Sequence, residues 1–206
     1  MNANVIEPKQ RRSQETQRKL LKALNDCLKD KFFEHISIQE LADCAGVSVG
    51  TYYRRFKNKE ALLPLLYQDF GQDLIAWIDE LVEQQFSSLE DAVCAMVEQT
   101  KMFLQSRKSV FRTLHLNSRL YPEFITVSTM GTRREEYQRM ANILLRFESQ
   151  MTVNNPHSAA NMVIHTLVNG LMDKVLYPEL TPAIASELSL DGYAKELPTM
   201  LIKYLR

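Results

Sequence analysis

The sequence predicts an all-α protein of about nine helices. Glycine and proline, which tight turns between strands need, make up only 6 and 7 of the 206 residues. Apolar residues recur at the i, i+3 and i+4 spacing of one-sided helices along most of the chain. No segment shows the alternation of apolar and polar residues that marks a half-buried strand. These observations favour an all-helical fold over any fold built on a sheet.

The helices are placed in order by their apolar stripes and by the residues that cap them. A polar stretch at residues 1–12 is expected to be disordered. Two prolines, Pro122 and Pro156, stand where the first residue of a helix is expected. Pro198 is expected to kink the last helix. The predicted helices span about 13–33, 38–44, 49–56, 59–85, 88–105, 109–118, 122–149, 156–176 and 190–205.

Two of these helices, joined by a short turn between residues 37 and 56, carry the clearest local signals. Ser37 and Glu40 have the spacing of a capping box at the start of the first helix. Gly46 can supply the left-handed residue that ends it, and Ser48 can cap the second helix. Two short helices around a glycine-containing turn form the layout of a helix-turn-helix, whose second helix can enter the major groove of DNA.

The second of these helices has an outward face that suits a DNA surface. An arginine can bind guanine through two hydrogen bonds, and threonine and tyrosine hydroxyls can donate to phosphate. The charge distribution agrees, since residues up to Lys59 hold twelve of the 25 basic residues but only seven of the 25 acidic ones. A hairpin with a solvated basic face is the alternative. The residues expected to face outward are Val49, Gly50, Thr51, Tyr53, Arg54 and Arg55.

The stretch AGVSVGTYYRRFKNKEALL resembles the signature of the TetR family of transcriptional regulators. About 50 residues, roughly 15–65, carry the resemblance. The chain departs from the commonest pattern at Arg55, where His or Tyr is frequent, and at Tyr52, where a smaller aliphatic residue is usual. The residues that fit the signature are Gly46, Val47, Ser48, Gly50, Thr51, Tyr53, Phe56, Lys59, Glu60 and Leu62.

The resemblance implies how these residues would meet DNA. Thr51, Tyr53 and Lys59 would contact phosphate, while the rest of the outward face would lie nearest the base edges. It also implies a helix-turn-helix DNA-binding domain at 13–58, followed by a larger helical ligand-binding and dimerisation domain at 59–206. The expected DNA-binding residues are Ser37, Ser48, Val49, Gly50, Thr51, Tyr53, Arg54, Arg55, Lys57 and Lys59.

The C-terminal helices are expected to hold two copies of the chain together. The helix at 156–176 is apolar on more than one face, which a single chain does not readily cover. Burial within one chain is the alternative. In the TetR family the last two long helices form the dimer interface. The resemblance therefore implies a homodimer through 156–176 and 190–205 that reads a palindromic operator, with half-sites about 34 Å apart.

The resemblance further implies a repressor that a small-molecule effector releases from double-stranded DNA. Aromatic and methionine side chains among the helices spanning 60–176 favour an apolar or aromatic ligand, although each is also typical of an ordinary core. The candidate lining residues are Trp77, Met96, Met102, Phe103, Phe111, His115, Tyr121, Tyr137, Met140 and His165. The alternative function is a DNA-binding architectural or adaptor protein whose C-terminal domain binds another protein instead of a small molecule.

The sequence shows no pattern typical of a catalytic site, a metal site or a membrane-spanning segment. Four histidines and three cysteines show none of the spacings HExxH, CxxC or GxSxG, so we expect no enzyme, no cofactor and no metal. Cys27 and Cys44 fall at apolar positions of helical patterns and are expected to be buried free thiols. With no signal peptide and no apolar run near the roughly 20 residues that span a bilayer, we expect a cytoplasmic protein.

Overall fold

The computed structural model describes the backbone of residues 8–121 and 127–206, and the side chains of residues 13–121 and 132–206. Within these ranges the chain forms nine α-helices and no strand, which confirms the predicted fold class. Short 3-10 turns lie at Phe33–His35, Glu60–Leu62, Glu148–Gln150 and Ala183–Ala185. The helices are α1 (Pro8–Cys27), α2 (Ile38–Ala45), α3 (Val49–Tyr53), α4 (Leu63–Glu83), α5 (Leu89–Ser106), α6 (Lys108–Leu120), α7 (Val127–Leu145), α8 (Pro156–Leu176) and α9 (Leu190–Leu205).

The first helix begins and ends earlier than the sequence predicts. Pro8 opens α1 in place of residue 13, because proline lacks an N–H that the first turn would leave unbonded in any case. After Cys27 the backbone tightens into i+3 hydrogen bonds, such as that from Lys29 N–H to Asp26 O at 3.2 Å, and the helix does not reach residue 33. Of the arm expected at 1–12, residues 1–7 lie outside the described residues, and residues 8–12 are helical.

Three later helices differ from the prediction in their bounds. α4 begins at Leu63, after the 3-10 turn Glu60–Leu62, rather than near residue 59. α3 ends at Tyr53 rather than near residue 56, since residues 54 and 55 form a turn. α7 is described from Val127, so the expected start at Pro122 lies outside the described residues. It ends at Leu145, and a separate 3-10 turn follows where the prediction continued the helix to about 149.

Contacts group the chain into two compact units. The first holds the chain up to Gly71 and a segment from Ser109 that includes most of α6. The second holds Gln72–Lys108 and the chain from α7 to the C-terminus. α4 therefore contributes its first turns to one unit and its remainder to the other. The functional boundary predicted after residue 58 stays a prediction.

The first unit is built on the packing of α1 against α2 and of α2 against α3. Its wholly buried side chains include Leu20, Leu24, Leu28, Leu41 and Tyr52. α6 joins this body through two contacts with α4. The Phe111 ring stacks on Phe70 with centroids 5.3 Å apart, and the Tyr67 hydroxyl donates to Leu114 O at 2.7 Å. α6 therefore belongs to the same packed unit as the helix-turn-helix.

The second unit packs α5 against α7, α8 and α9, and α8 against α7 and α9. Lys174 of α8 is buried, and its ammonium donates to the carbonyls of Ser186 at 2.6 Å and Leu188 at 3.0 Å. These bonds fix the segment that precedes α9. Pro198 lies inside α9, and the kink expected there stays a prediction. In the described ranges, no helix has the length and apolar character needed to cross a membrane.

Candidate DNA-binding surface

The turn between α2 and α3 fixes the geometry of the helix-turn-helix. Ser37 caps α2, and its hydroxyl accepts the Glu40 N–H at 3.1 Å. Gly46 ends the helix with φ 65° and ψ 39°, a left-handed conformation that other residues adopt only at a cost. The Gly46 N–H bonds carbonyls in the last turn of α2, and Ser48 then caps α3. The structure confirms both capping serines and the glycine turn that the sequence predicts.

Ser48, Thr51 and Arg54, which lie before, within and just after α3, hold one another through hydrogen bonds. The Ser48 hydroxyl accepts the Thr51 N–H at 3.1 Å and lies 2.9 Å from the Thr51 hydroxyl. Arg54 donates from Nη2 to the same Thr51 oxygen at 2.8 Å. This bond uses one of the five N–H donors of the guanidinium, so the others can bind a base edge or a phosphate.

Gly50 leaves the middle of the outward face without a side chain. The nearest described atom to a Cβ built there is Ser48 Oγ, at 3.9 Å, which is ordinary van der Waals contact. The residue lies in α3 and has no positive φ. The fold therefore does not require glycine at this position, and the bare backbone is open to close approach by a partner.

Two adjacent tyrosines of α3 have opposite environments. Tyr52 is fully buried against Phe56, with ring centroids 5.5 Å apart, and its hydroxyl donates to Asn58 O at 3.0 Å. Burial raises the pKa of the Tyr52 phenol to about 12. Tyr53, by contrast, is 56% exposed. The structure confirms that Tyr52 faces the core and Tyr53 faces outward.

Arg55 faces outward only in part. Its Nη1 atom donates to the Ser13 hydroxyl of α1 at 2.5 Å, and the side chain is half-buried. The sequence carried no sign of this contact, because the two residues are 42 positions apart and share no periodic pattern. Contact between Arg55 and a base edge stays a prediction.

The two lysines expected at DNA also differ in their surroundings. Lys57 is exposed in the segment after α3. Lys59 donates from Nζ to the carbonyls of Phe33 at 2.6 Å and Glu34 at 3.0 Å, and burial lowers its pKa. An ammonium has three N–H donors, so one remains for a phosphate, and that contact stays a prediction. Sequence reasoning missed the anchoring role, because backbone carbonyls that accept from a distant side chain leave no mark on the residue pattern.

The residues expected to line a ligand pocket are divided between the two units. Those in the first unit are Phe111, His115 and Tyr121. Those in the second unit are Trp77, Met96, Met102, Phe103, Tyr137, Met140 and His165. Trp77 and Phe103 stack with ring centroids 4.7 Å apart, and both Met96 and Met140 are buried. The side chains that are exposed instead are Met102, Tyr137 and His165. The pocket stays a prediction.

Proteins of known structure share the fold of this chain. The TetR family transcriptional regulator PfmR from Thermus thermophilus matches with a TM-score of 0.65 at 19% identity, covering 91% of this chain and 98% of that one. The MbdR regulator from Azoarcus sp. CIB matches with a TM-score of 0.61 at 18% identity, covering 93% of this chain and 99% of that one. A bacterial regulatory protein in the tetR family from Rhodococcus RHA1 matches with a TM-score of 0.65 at 14% identity, covering 92% and 96%.

The similarity in sequence lies in the N-terminal region. No curated protein matches the chain. Residues 20–66 match the family model described as bacterial regulatory proteins, tetR family. This segment contains both capped helices, the Gly46 turn and the outward face of α3. The helix-turn-helix that these residues build is thus the part of the chain that matches the tetR family model, and the chain shares its overall fold with TetR family regulators of known structure.

Proposed function

We propose that the protein is a homodimeric repressor that binds a palindromic operator and leaves it when a small, mostly apolar or aromatic molecule binds the second unit. The observation that carries the proposal is the outward face of α3. There Tyr53 is exposed, Arg54 is held by Thr51, and Gly50 leaves the backbone bare. The packing of the first unit needs none of these features, and each suits contact with a nucleic acid.

The chemistry of this face fits double-stranded DNA. Arg54 can bind a guanine edge or two phosphate oxygens with paired N–H donors. The hydroxyls of Tyr53 and Thr51 can donate to phosphates, and exposed Lys57 adds positive charge beside α3. Each phosphate contact releases counterions, so binding should weaken as salt rises. A bacterial regulator of this kind would act in the cytoplasm, where the DNA lies.

Exposed apolar side chains on the C-terminal helices support a homodimer. Met162 of α8 is 50% exposed, and Met200 and Tyr204 of α9 are 53% and 50% exposed. Met200 and Tyr204 are four residues apart and so share one face of α9. A second copy that covers these side chains would bring two α3 helices to one duplex, and a two-fold symmetric protein reads a palindrome.

Buried polar atoms in the second unit support a bound small molecule. Oε1 of Glu136 on α7 and the hydroxyl of Thr100 on α5 are buried and have no hydrogen-bond partner among the described residues. The other carboxylate oxygen of Glu136 accepts from Arg133 at 2.7 Å. A buried polar atom without a partner costs about 1–3 kcal/mol. A ligand with a hydrogen-bond donor would relieve that cost, and the Trp77–Phe103 stack offers it an aromatic surface in the same unit.

The chain itself connects the two units through α4 and again between α5 and α6. Within the first unit, the Phe70–Phe111 stack fixes α6 to α4. The guanidinium of Arg112 on α6 lies 3.9 Å from the ring centre of Phe32, just before the 3-10 turn that precedes α2. A ligand that favours a different position of α6 would shift the population of the DNA-binding form.

DNA binding is tested by fluorescence anisotropy with duplexes that cover the DNA flanking the protein's own gene. We expect tight binding that weakens steeply with salt. Tyr53→Phe combined with Arg54→Ala should weaken it by about tenfold or more, because one paired base contact is worth about 1–3 kcal/mol. Arg134→Ala, at an exposed arginine of α7, is the matched control and should bind normally. Unchanged binding by the double variant would refute the assignment of α3.

The dimer and the effector are tested separately. Light scattering should give twice the mass of one chain, and Met200→Glu should yield monomers that bind the operator more weakly. A wild-type protein that is monomeric while bound to its operator would refute the homodimer. For the effector, thermal shift screening should find molecules that raise the melting temperature and lower operator affinity together. If the protein binds DNA but its second unit binds another protein and no small molecule, the alternative function of an adaptor holds instead.

A further inference from the structure

Two of the three cysteines lie side by side in the first unit. Cys27 is the last residue of α1, and Cys44 is in the last turn of α2. Their sulfur atoms are 3.8 Å apart, with the Cys27 thiol donating to Cys44 Sγ. The sequence predicts buried free thiols, but Cys44 is exposed and Cys27 is half-buried, each in the last turn of its helix. The pair is therefore open to reagents in solution.

The surroundings of the two thiols give them different roles. Burial, followed by the contact with Cys44, raises the pKa of the Cys27 thiol to about 11. The charge of the Lys31 ammonium, which is paired with Glu40 at 2.6 Å, opposes this rise in the pKa of Cys27. Exposed Cys44 is accordingly the thiol that meets a soluble oxidant first, and Cys27 is placed to react with the product.

We propose that Cys27 and Cys44 form a redox-responsive pair that hydrogen peroxide closes into a disulfide, and that this disulfide weakens operator binding. In the first step the Cys44 sulfur attacks a peroxide oxygen, the O–O bond breaks, and a sulfenic acid and one water form. In the second step the Cys27 sulfur attacks Cys44 Sγ, the S–O bond breaks, and a second water leaves. The two thiols are oxidised by two electrons, which reduce one peroxide to two waters.

The position of the pair explains why closure should reach the DNA-binding face. A disulfide requires sulfur atoms about 2.05 Å apart, so α1 and α2 must approach each other or their side chains must turn. Cys44 lies two residues before the Gly46 turn that leads into α3. Arg55, just after α3, is bonded to Ser13 of α1. A change in the fit of α1 on α2 therefore alters the placement of α3 and of Arg55 together.

The third cysteine of the chain provides a control for oxidation outside the pair. Cys94, the third cysteine, is exposed on α5 in the second unit. It can be oxidised by the same reagent. Since it lies in a different unit from the pair, its loss should leave the response of the pair unchanged.

The test treats full-length wild-type protein, Cys27→Ser, Cys44→Ser and Cys94→Ser with hydrogen peroxide. Peptide mapping under non-reducing conditions should show a Cys27–Cys44 link in the wild type and in Cys94→Ser. Operator affinity of these two proteins should fall by about tenfold, within the usual range of allosteric coupling, and recover with dithiothreitol. Cys27→Ser and Cys44→Ser should keep their affinity. Thermal melts before treatment would show that all variants are folded.

Three results would overturn the proposal: no Cys27–Cys44 link in the peptide map, a link that leaves operator affinity unchanged, or a response that disappears in Cys94→Ser. The regulatory part rests on the proposed function, since it needs an operator. Failure of that function would be seen as absent DNA binding by the reduced wild type, before any oxidant is added. The peptide map would still decide whether the pair closes.

Discussion

Replacing Gly50 with alanine should affect the stability of the fold and the affinity for DNA in opposite directions. The new methyl group would meet its nearest described neighbour, Ser48 Oγ, at 3.9 Å and would not force any atom to move. Gly50 is the second residue of α3, where alanine is the better helix former. Because the position lies at a helix end, we expect the free energy of unfolding to rise by about 0.5 kcal/mol, the lower end of the range for replacing glycine by alanine in a helix. For a chain of this size that raises the melting temperature by about 1–2 °C.

The same methyl group should weaken operator binding by about tenfold, or 1.4 kcal/mol, if the α3 backbone at Gly50 lies against DNA. Anisotropy titrations and thermal melts on one preparation measure both effects. Arg134→Ala, at an exposed arginine of α7 in the second unit, is the control, since it lies outside both α3 and the proposed dimer helices. It should keep wild-type affinity. A Gly50→Ala protein that binds the operator normally, or that is less stable, would refute the reasoning.

Three further predictions concern the stability of the packing within each of the two units. Gly46→Ala should lower the free energy of unfolding by about 1 kcal/mol in urea titrations, because φ is 65° there and alanine adopts it poorly. Gly170→Ala should cost about 1–3 kcal/mol, since its Cβ would clash with the Tyr193 hydroxyl and lie 3.2 Å from Cζ; adding Tyr193→Phe should recover part of the loss. Tyr52 holds its proton more tightly when folded, with a pKa of about 12 against an ordinary 10.0, so stability present below pH 10.0 should fall as pH rises towards 12. The fall should be shallower in Tyr52→Phe, and an identical pH profile of unfolding in the two proteins would contradict this explanation.

The features that could be predicted from the sequence are those set by residues three or four positions apart. Ser37 and Ser48 cap helices because their hydroxyls accept N–H groups three residues later. Gly46 ends α2 because glycine tolerates a positive φ. Tyr52 and Tyr53 point in opposite directions because one helical step turns a side chain through about 100°. Each signal lies within one helix or one turn, so neighbouring residues suffice to read it.

The features that could not be predicted depend on which distant segments meet. The bond from the Lys59 ammonium to the Phe33 carbonyl is one example, since no side-chain pattern reveals it; the phosphate contact of Lys59 stays a prediction. The stack of Phe111 on Phe70 within the first unit is another example, and pocket lining by Phe111 stays a prediction. An aromatic residue at helical spacing indicates burial, but it does not tell which helix will cover it. The division of α4 between two units was hidden for the same reason.

α3 and the turn that follows it would present to DNA two side chains that are already held by the protein and one that is not. Arg54 is bonded to Thr51 and therefore loses less rotational freedom on binding, where an unrestrained side chain loses about 0.5–1.5 kcal/mol. Tyr53 is 56% exposed, so in the proposed complex the DNA itself would have to order it. Arg55 is held by α1, so whatever moves α1 against α2 also moves Arg55. The cysteine pair joins these same two helices. In the proposed mechanism oxidation would therefore act directly on the outward face of α3, whereas an effector bound in the second unit would act through the chain connections at α4 and between α5 and α6.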